Sequence, residues 1–125
     1  MSALQVRLLG SGVAVVLIFA SGFWVSRAGK PYPALNFNVH KLIALAAAVL
    51  LGIVISKANK AAPLDSPQWL GVAAAGVCIL VTILTGGLAS IDRPMPAILV
   101  TLHKVFPYLS AASVGWVFYS VLLRG

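Results

Sequence analysis

The chain has 125 residues, 61% of them hydrophobic and only 9% charged, with a mean hydropathy of +1.03. Soluble domains carry about 25% charged and about 45–50% apolar residues, so a water-soluble globule is excluded and a single integral membrane domain over residues 1–125 is expected. Nine Lys and Arg against two Asp and Glu give a net charge of +7, but the cations punctuate apolar runs instead of lining one face, which argues against a nucleic-acid binder.

The first apolar stretch runs from about Leu8 to Ser26. Arg7 before it and Ala20, Ser21 and Gly22 near its end fit a signal peptide, but numbering from Met1 favours a retained first helix. A connection from Arg27 to Phe37 carries Lys30, Pro31 and Pro33, and the second stretch follows from about Asn38 to Ser56. Lys57, Lys60 and Asp65 mark the next connection, Trp69 to Ala89 the third stretch, Asp92, Arg93, Pro94 and Pro96 the last connection, and Ile98 to Leu123 the fourth stretch. Each stretch approaches or exceeds the roughly 20 residues needed to cross a hydrocarbon core. Their only charges are Lys41 and Lys104, each near the start of its span. Such short connections predict an all-α, up-down-up-down four-helix bundle.

Charge places the two faces almost evenly. Arg7, Lys57, Lys60 and Arg124 lie with the termini, against Arg27, Lys30 and Arg93, with Lys41 and Lys104 just inside the helix starts. The expectation is a bacterial inner membrane with both termini cytoplasmic, although the Lys and Arg asymmetry that sets orientation is small. Trp24, Tyr32 and Trp69 suit interfacial anchors, Cys78 a packing role, and Asn36, Asn38 and Thr101 helix starts or support for a site.

An internal repeat organises these spans. At an offset of 63 residues, Pro31-Tyr32-Pro33-Ala34 through His40-Lys41 aligns with Pro94-Met95-Pro96-Ala97 through His103-Lys104, in the pattern P-x-P-A-aliphatic-x-x-x-aliphatic-H-K. With a one-residue gap, Ser21-Gly22 falls opposite Thr85-Gly86. The bundle is therefore predicted to be a duplicated helical hairpin with halves at approximately 1–62 and 63–125.

The chain's two histidines occupy equivalent repeat positions. In an up-down bundle the second and fourth helices are parallel, which puts His40 and His103 at one depth. Ionisable groups inside a span default to a functional reading. Helices pack about 8–10 Å apart, so a bundle diagonal of about 12–14 Å suits a flat macrocycle with one imidazole on each metal face. Haem with two axial histidines is the expected occupant. Gly22, Gly86 and Gly87 are expected to clear space for the ring, Phe37 and Phe106 to wall it, and Lys41, Lys104 and Arg93 to face its propionates. Three other readings stay open: histidines that only hydrogen-bond between helices in a structural or assembly subunit, a chlorophyll-type pigment on each imidazole, and a zinc or copper site completed by a partner.

These features resemble the four-helix membrane cytochromes of the b type, including membrane anchors of bacterial dehydrogenases, which clamp non-covalent haem b between histidines on bundle helices. The resemblance lies in the architecture and the two ligand positions. It implies iron ligation by His40 and His103, with one haem where relatives of this type often carry two. The chain is thus expected to carry single electrons rather than act as an enzyme alone. A quinol or another membrane or peripheral redox subunit would exchange electrons with it.

Overall fold

A computed structural model describes residues 1–91 and 93–124; Asp92, one of the loop charges, and Gly125 lie outside the described residues. Four α-helices make up the regular structure there: α1 (Ala3–Ala28), α2 (Ala34–Ala61), α3 (Ser66–Ala89) and α4 (Ala97–Arg124). They hold 26, 28, 24 and 28 residues, or roughly 36–42 Å at 1.5 Å per residue. All four are long and apolar enough to cross a membrane.

The helices outrun the apolar stretches because polar groups extend their ends. The Ser2 hydroxyl accepts the Gln5 backbone N–H at 3.1 Å and the Gln5 side chain accepts the Ser2 N–H at 2.8 Å. This reciprocal box satisfies amide groups that the first turn leaves over, so α1 begins ahead of Leu8. Asp65 and Gln68 repeat the device at α3, at 2.8 and 3.0 Å.

At α2 the expectation of an asparagine start is corrected. The cap residue is Pro33, with φ −57° and no side-chain cap bond; its ring pre-sets the backbone, its carbonyl accepts the Phe37 N–H at 3.1 Å, and Asn36 and Asn38 lie within the helix. Thr101 likewise sits inside α4, its hydroxyl donating to the Ala97 carbonyl at 2.9 Å. Gly29 ends α1 with φ 71°, a conformation that disfavours any side chain. Helix α4 continues through Pro107, which has no N–H to offer the carbonyl of His103 one turn back.

The chain divides into two compact units, Met1–Pro63 and Leu64–Gly125. In the first, α1 packs on α2; in the second, α3 packs on α4. The first buries Ser11, Ser21 and Val25 of α1 with Ala47 and Val54 of α2. The second buries Gln68, Ala75, Thr85 and Ala89 of α3 with Ser110, Val114 and Val117 of α4. Shifting the first set by 64 residues on α1 and 63 on α2 lands on Ala75, Thr85, Ala89, Ser110 and Val117, all buried.

These seams are built from small and hydroxyl-bearing residues because helices in lipid associate through close packing and not through the removal of apolar surface from water. Gly71 shows the closeness: a Cβ there would come 2.7 Å from Val117 Cγ2 and 2.9 Å from the Trp116 ring. The buried hydroxyls donate within their own helices, Ser11 to the Arg7 carbonyl at 2.9 Å and Ser110 to Phe106 at 3.0 Å, which removes the cost of an unpartnered donor. Large side chains such as Leu42, Leu45, Leu70, Leu80 and Leu84 remain exposed, an outer surface suited to lipid tails.

Candidate functional site

Each helix pair seats one histidine, and each histidine is the seventh residue of its helix. In the first pair, His40 Nδ1 lies 2.9 Å from the Ser21 hydroxyl of α1, and the ring rests on Gly22, where a Cβ would be 3.2 Å from Cε1, 3.7 Å from Nδ1 and 3.8 Å from Nε2. In the second, His103 Nδ1 lies 2.8 Å from the backbone carbonyl of Thr82 on α3. Its ring presses closer to Gly86, where a Cβ would be 2.5 Å from Cε1, 2.8 Å from Nδ1 and 3.3 Å from Nε2. The two glycines are thus the points at which an imidazole meets the neighbouring helix without a side chain between them.

A carbonyl oxygen only accepts, so His103 Nδ1 must carry a proton and donate it to Thr82. In neutral imidazole this leaves the lone pair on Nε2, the nitrogen a metal would take. A hydrogen bond from the other ring nitrogen is what fixes tautomer and orientation at ligating histidines. The single imidazole of each pair suits a macrocyclic iron centre, whose ring supplies most of the metal's nitrogens. It suits a bare ion less well: among the described residues no group of three or more His, Cys, Asp or Glu comes together.

The remaining expected site residues distribute as follows. Gly22 and Gly86 meet the histidines; Gly87 is exposed, with nothing within 4 Å of a Cβ built on it. Phe37 lies under Lys41, whose Nζ is 5.0 Å from the ring centroid, within the range of a cation–π contact. Phe106 is half-buried, its carbonyl engaged by Ser110. Lys41, Lys104 and Arg93 are all exposed.

Of the two oxygens that meet the histidines, only one shows in the side-chain types. Ser21 was visible as the partner of Thr85 in the repeat, since a hydroxyl precedes the glycine in both halves. The Thr82 carbonyl was not, because every residue has one.

A second polar cluster joins the start of α3 to the end of α4. Gln68, only 1% exposed, accepts from the Asp65 backbone N–H and from Arg124 Nη1 at 2.6 Å, and donates to the Ser120 hydroxyl at 3.1 Å. The equivalent place in the first pair is Leu4, so this clasp belongs to the second pair. Gln68→Leu should lower the stability of the detergent-solubilised chain by about 1–3 kcal/mol, the cost of stranding buried hydrogen-bonding partners. Circular dichroism during denaturant titration measures this; an unchanged midpoint would show that the clasp adds nothing.

Comparison of the chain with protein-family profiles, with proteins of curated function and with solved structures yields no match.

Proposed function

We propose that this chain is a small b-type membrane cytochrome, an up-down-up-down four-helix bundle of duplicated hairpins that binds one non-covalent haem b through His40 and His103. The observation that carries this reading is the matched seating of the two imidazoles: each rests on a glycine of the preceding helix and each engages an oxygen there through Nδ1. Duplication is supported by the buried positions, which recur between the pairs at the offsets that align the repeat.

When bound, haem supplies a one-electron Fe(III)/Fe(II) couple. The chain's share is to hold two nitrogens in one orientation, keep their Nδ1 protons engaged and surround them with apolar helix. Lys41, Lys104 and Arg93 are exposed cations suited to carboxylate groups of a macrocycle. With His40 and His103 both holding the iron, no position would be left open for oxygen, which favours electron carriage over oxygen chemistry. The exchange partner is a quinol or another membrane or peripheral redox subunit, in a bacterial inner membrane with both termini cytoplasmic.

A second reading has its own observation. Each imidazole already bonds and packs within its own pair, which is also what a structural subunit would use to lock two helices together. Expression with haem supplied, purification in mild detergent and a reduced-minus-oxidised spectrum separate the two. The cytochrome requires b-type bands and one haem per chain. A colourless, iron-free product supports the structural reading and overturns the first, whereas a magnesium macrocycle would make the chain a pigment protein.

A further inference from the structure

The two histidines reach different kinds of oxygen at equivalent positions. With the repeat aligned at 64 residues along α1 and α3, Ile18 corresponds to Thr82, Ser21 to Thr85 and Gly22 to Gly86. In the second pair the Thr82 carbonyl accepts His103 Nδ1–H at 2.8 Å, and the Thr85 hydroxyl donates to the same carbonyl at 3.2 Å and to Val81 at 2.7 Å. In the first pair the Ser21 hydroxyl donates to the Ile18 carbonyl at 3.0 Å and lies 2.9 Å from His40 Nδ1.

A hydroxyl has one proton. If Ser21 gave it to His40, two oxygens bearing only lone pairs would face each other at the Ile18 separation. If Ser21 gives it to Ile18, its oxygen is left to accept from His40. We infer that Ser21 is the positioning residue of His40: it accepts the imidazole Nδ1–H and itself donates to the Ile18 carbonyl, the repeat counterpart of the Thr82 carbonyl that serves His103 directly, so that both rings are held in one tautomer through unequal acceptors.

The consequence for electron transfer rests on the cytochrome reading. Hydrogen bonds from Nδ1 raise the basicity of a ligating imidazole, and a hydroxyl that itself donates is a polarised acceptor. With haem bound, Ser21 would therefore make His40 the stronger iron ligand and hold the reduction potential down. The variant Ser21→Ala should raise the potential, and Ser21→Thr, which copies Thr85, should restore it.

The tautomer is testable without haem. The full chain, labelled with 15N-histidine and reconstituted without haem in phosphatidylcholine vesicles, is measured by solid-state NMR, the two rings being assigned with His103→Gln. The inference expects protonated Nδ1 and unprotonated Nε2 at both rings, loss of the protonated-Nδ1 signal from His40 alone in Ser21→Ala, and its return in Ser21→Thr. Protonated Nε2 at neutral His40 in the wild-type chain would overturn it. So would a His40 signal indifferent to Ser21→Ala. Absence of b-type bands from the haem-supplied chain would remove the cytochrome reading and the potential shift, while the tautomer result would stand or fall by itself.

Discussion

In the proposed cytochrome, His40→Ala and His103→Ala should each abolish the six-coordinate, low-spin haem spectrum, although neither histidine is among the buried residues of its helix pair. Outer-shell changes at metal sites cost roughly 10–100-fold in affinity, and removal of an axial nitrogen deletes the bond itself, so retention should fall further than that. The proposed shared haem requires the loss to be equal in kind at the two positions. Each alanine also leaves an imidazole-sized gap beside a glycine, at Gly22 or Gly86. Added imidazole should enter that gap and return part of the low-spin signal. Absorbance titration with imidazole reads this, with circular dichroism confirming that the helices persist. A spectrum left intact by either substitution would mean that the two histidines do not share an iron.

The helices were legible because four long apolar stretches in a chain with eleven charges have no other use. Their ends were less so. Hydropathy marks where lipid tails stop and says nothing of a Ser2–Gln5 or Asp65–Gln68 box, which adds helix beyond the apolar run. Asn36 and Asn38 misled for a related reason: asparagine prefers caps, but Pro33 already supplies the extended backbone and leaves them inside α2.

At the site, residue type and spacing identified the histidines and the glycines facing them. The direction of each glycine was beyond that reading. Gly86 and Gly87 are adjacent, and helical geometry turns one toward His103 and the other outward by about 100°; sequence alone does not choose between them. Nor does it reveal a backbone carbonyl as an acceptor, so the difference between Ser21 and Thr82 belongs to the fold and not to residue type.

Gly86→Ala should be the most damaging of the glycine substitutions around the histidines, with a cost of about 1–3 kcal/mol from overpacking. A methyl group at Gly86 meets Cε1 of His103 at 2.5 Å and Nδ1 at 2.8 Å, so the ring must move or α3 and α4 must part. Movement of the ring breaks the Nδ1 bond to Thr82, and separation of the helices loosens the seam of small residues between them. At Gly22 the methyl would stand 3.2 Å from His40 Cε1, a clash relieved by a few tenths of an ångström. There the alanine's helix preference over glycine, up to about 1 kcal/mol, offsets much of the strain. Gly87→Ala meets nothing within 4 Å and should be neutral or stabilising. Denaturant midpoints in mixed micelles should therefore rank Gly87→Ala at or above wild type, Gly22→Ala near it and Gly86→Ala well below. On the cytochrome proposal haem retention should fall most at Gly86→Ala, because that substitution displaces the His103 ring as well as a helix. Equal stability at Gly86 and Gly87 would show that His103 does not rest on α3. Loss of stability at Gly86 without loss of haem would show that its contact with the ring serves helix packing alone.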